Sequence, residues 1–275
     1  MLPSRLLLLG FLFAIVDRFA VHALSAAESE LLKIPRAAAE KTYSQETMRE
    51  DLSFDFTLEG MFAMFGGRMA IQTTMTEHRF QRKNANGGHD VYAQTGTYAT
   101  MGGFPVASYK MDELVLDGVA WARLVEGKYD TELPEGWFQP ADLGLSDLEG
   151  EVLDQLTQAT GVEVKEAFLE ENASGITEVA GANPDTRCFQ VNPTDKFKSK
   201  MVGQEVDEGS ESLVEKANLL ETFCVEGGFL VDFKMDMNSA GFTTDQATDG
   251  AATGRGSNTY SNFGKPVYIP DPRPY

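Results

Sequence analysis

The side chains in this sequence that could do chemistry are few and poorly spaced for it. His78 and His89 are the histidines beyond residue 23, and neither has a partner at metal-ligand spacing. Each reads as a surface residue, since a zinc site needs three or four converging nitrogen, sulfur or carboxylate ligands. No G-x-S-x-G elbow, P-loop or dinucleotide fingerprint is present, so the local signatures of acyl, phosphoryl and hydride transfer are missing. Asp245, Asp249 and Gly250 match three points of an EF-hand loop. Ala247 stands where a second oxygen ligand belongs and Gly256 where the bidentate Glu belongs, so the match reads as accidental. Neighbouring carboxylates such as Glu170-Glu171 and Glu149/Glu151 read as solvated faces. Asn172-Ala173-Ser174 is a formal N-glycosylation acceptor. The expectation is a protein with no catalytic residue, no metal and no cofactor.

Cys188 and Cys224 are the only cysteines. In an exported chain an even count reads as one disulfide, and both residues fall in strand-like runs, 186–191 and 222–226. Two unpaired buried thiols are the alternative, and redox catalysis is disfavoured because there is no C-x-x-C.

What remains is apolar. The chain has 18 Phe and 11 Met. They gather on alternating positions: Phe54, Phe56, Met61, Met64, Met69, Met75, Phe229, Phe233, Met235 and Met237. An ordinary sheet core explains them on composition alone. The other reading is a wall for acyl chains, because Met is unbranched and polarisable and adapts to variable apolar partners. Burying each acyl methylene contributes ~0.8 kcal/mol, so even a partly open groove can hold a lipid.

The elements that must position these side chains follow from periodicity. Residues 26–49 are rich in Ala, Glu and Lys without glycine and read as a helix, or as one interrupted at Pro35. Then the period changes to two: Leu52, Phe54, Phe56 and Leu58 alternate with Ser53, Asp55, Thr57 and Glu59. Further strands are expected at 69–75, 91–99, 106–116, 162–169, 176–180 and 187–191. Phe229, Val231, Phe233, Met235 and Met237 form the clearest strand. Turns are expected at Gly66-Gly67 and 84–88. Ser146 and Glu149 form a capping-box pattern for a helix over 146–158, with a second short helix over 210–220. Residues 242–258, rich in Gly, Ala, Thr and Asp, read as a long mobile loop, and the chain closes in an extended segment and a Pro-rich tail.

Length and charge bound the rest. Arg5 followed by eleven apolar residues, Leu6 to Val16, and a small-residue site at Val21-His22-Ala23 read as a signal peptide over residues 1–23. An uncleaved anchor is the alternative, although roughly 20 apolar residues are needed to span a bilayer. The formal charge is −19; removing residues 1–23, which sum to +1, leaves −20. So acidic a chain is repelled by nucleic acid, which is set aside as a partner. No later stretch has spanning length, and no long linker divides the chain. One domain is expected, with residues 24–50 as its N-terminal helical segment and 51–275 as the sheet.

Residues 114–137, LVLDGVAWARLVEGKYDTELPEGW, carry a hairpin signal. Asp117-Gly118 suits a type I′ turn, whose two central residues need positive φ. A second hairpin is expected around Glu126-Gly127, with Trp137 closing the segment after Pro134. This meander resembles the LolA-like family of exported lipid and lipoprotein carriers, in which a "dg..y.r...g.w....W" pattern sits in mid-sheet. Residues 261–270, SNFGKPVYIP, resemble the "sdfg.pv.i..P" close of the same family. Together the two stretches cover about an eighth of the chain, and their motifs are structural, so no specificity residue carries over.

The resemblance implies an α+β fold, a curved and mainly antiparallel sheet (a half-barrel of about ten strands) with two or three helices covering its concave face. It implies carriage of a lipid or acylated protein, with an envelope transporter or a regulatory protein as further partner. A periplasmic sensor with a LolA-like domain is the rival reading. The signal region has no cysteine just after its apolar run, so the chain departs from lipid-anchored members, and a soluble exported protein is expected. The expected cavity wall is Phe54, Phe56, Phe229, Val231, Phe233, Met235 and Met237, with Trp121 contributing. An Asp at position 233 would then remove uptake of a fluorescent fatty-acid probe while the sheet still folds.

Overall fold

The computed structural model describes residues 24–62, 66–129, 132–153, 156, 167–201, 217–242 and 247–273. The expected signal lies outside them. Ten strands form one antiparallel sheet: β1 (Thr47–Phe62), β2 (Gly67–Lys83), β3 (His89–Met101), β4 (Phe104–Leu116), β5 (Val119–Lys128), β6 (Ala173–Ala180), β7 (Arg187–Pro193), β8 (Asn218–Glu226), β9 (Phe229–Phe242) and β10 (Ala247–Ser261). Their spatial order is β5-β4-β3-β2-β1-β10-β9-β8-β7-β6. Two five-strand meanders therefore meet where the first strand pairs with the last. β5 and β6 form the two edges, so the sheet is open, the half-barrel that the sequence suggested. Among the described residues the α-helices are α1 (Ala26–Tyr43), α2 (Ser146–Leu153) and α3 (Asp195–Met201).

Both longer helices lie on one face of the sheet, the inner face. α1 starts at a capping box: Ser25 caps the Glu28 amide, and the Glu28 carboxylate accepts from the Ser25 amide at 2.9 Å. It runs unbroken through Pro35 and buries Leu32, Ala38, Ala39 and Tyr43 against Phe189, Val191, Phe223 and Leu230. Its last turn is clamped to the sheet. Lys41 donates to the Gly227 carbonyl at 3.0 Å, and the Thr42 hydroxyl accepts from the Leu230 amide at 2.8 Å. α2 and Leu156 cover the other end of the same face, where Leu148 and Val152 pack on Val91, Ala93, Met111 and Ala122. Ser146 is the first helical residue rather than the cap.

The outer face has its own cluster of Leu114, Leu116, Phe80, Tyr92, Trp121 and Trp137. The chain's last segment covers it: Val267 and Ile269 pack there, and Arg273 pairs with Asp117 at 2.9 Å. Asp117 and Gly118 both have positive φ, 52° and 81°, as a type I′ turn requires.

Four expected elements are corrected. The stretch read as a mobile loop is mostly β10, a central strand bonded to β1 and β9 on its two sides. Glu126-Gly127 is not a turn but part of β5, paired with Lys110 and Tyr109. Residues 167–169 lie outside any strand, with Ala167 and Phe168 buried, while residues 162–166 of the strand expected over 162–169 lie outside the described residues. Leu219 and Leu220, expected at the end of a helix, belong to β8; residues 210–216 of that helix lie outside the described residues.

Candidate functional site

Cross-strand pairing places the inner-face side chains in ladders. One runs Thr97, Met75, Phe54, Gly256, Met235, Glu221 from β3 to β8. The next runs Ala99, Thr73, Phe56, Gly254, Met237, Leu219. These two ladders lie between the region covered by α1 and the region covered by α2. Phe54, Phe56, Met75, Met235 and Met237 are all half-buried, and the Phe54 and Phe56 rings are parallel with centroids 6.3 Å apart. The glycines keep the centre low. A Cβ on Gly254 would meet the Met237 methyl at 3.5 Å and the Phe56 ring at 3.6 Å, and one on Gly256 would meet the Phe54 ring at 3.4 Å. The outcome is an apolar trough floored by β10 and walled by Phe on one side and Met on the other.

A buried polar layer closes one end. Glu50 accepts from Asn258 at 2.8 Å and pairs with Arg79 at 3.4 Å, while Arg79 also holds Glu77 at 2.7 Å. The Tyr43 and Tyr260 hydroxyls, 2.9 Å apart, tie this layer to α1. Burial pushes Glu50 up to about 7, against the pull of Arg79. Burial acts to lower Arg79, but Glu77 and Glu50 reverse this and hold it firmly protonated. Arg79 is thus already committed to two carboxylates.

Glu221 lies beside Met235 on the same ladder. It is 1% exposed, and its Oε2 has no hydrogen-bond partner among the described residues. Burial pushes its carboxyl up to about 8.

The structure brings together four of the expected wall residues and separates four. Phe54, Phe56, Met235 and Met237 sit in the trough. Phe233 shares their face but stacks on the fully buried Phe223 at 4.8 Å, so it belongs to the core under α1. Phe229, at the start of β9, stacks on Phe263 at 4.5 Å with the Lys41 ammonium 3.8 Å from its ring centre. Val231 falls where the β8–β9 register shifts and is skipped in the pairing. Trp121 is on the opposite face, in the cluster under the C-terminal segment, and cannot line this trough. Met75, Gly254, Gly256 and Glu221 were not in the expected wall. The alternation of small residues Ala252, Gly254 and Gly256 with Thr253, Arg255 and Ser257 was the signal that would have found the floor.

Cys188 and Cys224 are disulfide-bonded, directly opposite each other on β7 and β8. His78 is half-exposed on the outer face, 2.6 Å from Asp51. Asn172, the formal glycan acceptor, is 9% exposed, which leaves no room for a sugar. No helix among the described residues is long and apolar enough to cross a membrane. An apolar recess of about 980 Å3 also follows the flank of α1, between Leu31, Ile34 and the β8–β9 turn at Gly228. The trough remains the candidate, since its lining is set by five paired strands rather than by one helix flank.

No family model and no curated protein sequence matches the chain. Among solved structures it is similar to one titled lipid–protein interactions in lipovitellin, at 6% identity and TM-score 0.40, over 84% of this chain and 27% of that one. The chain thus spans about a quarter of the lipovitellin chain's length. It is also similar to an outer membrane lipoprotein-sorting protein domain from Vibrio parahaemolyticus, at 9% identity and TM-score 0.21, over 85% of this chain and 91% of that one. A DUF1329 family protein from Desulfovibrio piger is similar at 9% identity and TM-score 0.24, over 89% and 95%. At these levels of likeness, the functional reading rests on the chain's own geometry.

Proposed function

We propose that this protein is an exported, non-catalytic carrier or binding protein for a lipid or lipid-modified protein, whose acyl chain lies in the inner-face trough. One observation carries the reading: Met75, Phe54, Met235, Phe56 and Met237 stay half-buried around a glycine floor between the clusters on which α1 and α2 pack. A sheet that needed only a core would cover these side chains, because apolar surface left in water forfeits burial energy. The signal-like segment and the disulfide support a periplasmic or extracellular location.

Native mass spectrometry of protein purified from an exporting host tests this. A lipid adduct is expected, together with saturable binding of a pyrene-labelled alkane. Protein that carries no adduct and binds no alkane would overturn the reading.

A further inference from the structure

The trough's apolar floor says that an acyl chain fits, but not what the chain is attached to. Glu221 supplies that information. It stands on the same ladder as Phe54 and Met235, with Val191 as its neighbour on the far side. A buried carboxyl oxygen without a partner is retained at a cost that an apolar residue would avoid. Met235, half-buried and unbranched, is the side chain between this carboxyl and the open floor.

Resting on the carrier reading above, we propose that Glu221 is the polar subsite of the trough and that the ligand is a neutral acyl lipid, ester- or amide-linked. The Glu221 carboxyl donates its hydrogen bond to the ligand's linkage carbonyl.

Three observations select this chemistry. Near neutral pH the buried carboxyl keeps its proton, with burial as the cause, so it offers an O–H donor that calls for an acceptor. Its cross-strand neighbours, Met235 on β9 and Val191 on β7, do not titrate and bring no charge to it. A free fatty-acid carboxylate would need a cation in the trough, and of the inner-face arginines Arg79 is held by Glu77 and Glu50, and Arg187 by Glu178. A cationic head group would have to enter the same dry site at a desolvation cost that one carboxylate does not repay. Thr73 Oγ1, on the next ladder, also lacks a partner among the described residues. A hydroxyl can satisfy itself locally more easily than a carboxyl can, so Glu221 carries the inference.

The test compares a pyrene-labelled alkane, the corresponding fatty-acid methyl ester and the free acid, each titrated into the wild type, Glu221→Gln and Glu221→Leu at neutral pH. The wild type is expected to bind the ester about tenfold more tightly than the acid, the worth of one buried hydrogen bond and an avoided charge. Glu221→Gln keeps a donor and should keep that preference. Glu221→Leu should lose it, with alkane affinity unchanged. Raising the wild type to about pH 9, above the carboxyl's value of about 8, should weaken ester binding without any substitution. Equal affinity for ester and acid in the wild type, or an intact ester preference in Glu221→Leu or at high pH, overturns the subsite while alkane binding keeps the trough. Failure of all three probes to bind removes both.

Discussion

Gly254 decides whether the trough stays open. Its φ is outside the left-handed region, so the backbone accepts other residues, and a Cβ there makes only ordinary contacts. Gly254→Val should therefore fold, with a melting temperature equal to or above the wild type, since glycine in a strand costs about 0.5–1 kcal/mol. Its methyls would fill the floor, and alkane affinity is expected to fall at least about tenfold. Unfolding of this variant would mean that the floor is packed core. Met237→Asp tests the wall: a modest fall in melting temperature with loss of alkane binding is expected. Phe233→Asp should cost far more, because it breaks a stack on the buried Phe223; removing a buried Phe costs roughly 3–5 kcal/mol. Glu221 and Glu50 give a pH signature. Both are raised in the fold, to about 8 and about 7. Folded protein then binds more protons than unfolded chain between pH ~4.3 and these values, so this contribution is full at low pH and is lost as pH rises through 7 and 8. Melting temperatures measured from pH 5 to 9 should decline across that window in the wild type, and less steeply in Glu221→Gln.

At the scale of elements, the bond between Cys188 and Cys224 joins β7 to β8 next to the edge strand β6. It closes a sequence separation of 36 residues, and a closure of that size stabilises by roughly 3–4 kcal/mol in the chain-entropy model. The Cys188→Ser/Cys224→Ser double variant should lose about that much in urea unfolding, while its circular dichroism still shows strands. Native protein with two alkylatable thiols would contradict the bridge. Burying Leu32, Ala38, Ala39 and Tyr43 sets the position of α1, which in turn bounds the trough on the β9 side.

In the whole molecule the two faces do different work. The inner face carries the helices and the trough. The outer face carries Leu114, Leu116 and Trp121 beneath Val267 and Ile269, with Arg273 pinned to the Asp117 turn. Deleting residues 265–275 should expose that cluster and lower the melting temperature by several degrees. Alkane affinity should be unchanged, because the trough is on the other side of the sheet. A parallel loss of binding would show that the last segment supports the trough through the sheet.

Local pattern determined much of this protein. The alternation in β1 and β9, the Asp117-Gly118 turn, the α1 segment and the cysteine count were legible because each depends on a short-range rule. β10 and the start of β8 were not. β10 reads as a loop because glycine and alanine occupy its inner-face positions, and only pairing with β1 and β9 shows that Phe and Met of the neighbouring strands flank them. The start of β8 was masked by Glu221. A carboxylate at an inward position breaks the apolar alternation of Leu219, Phe223 and Val225, and periodicity takes such a residue for a solvated one. Trp121 was placed on the wrong face because strand alternation gives two sides without saying which is covered by helices. The tertiary structure decided that by setting α1 and α2 on one side and the C-terminal segment on the other, and packing between residues far apart in sequence is what no local pattern contains.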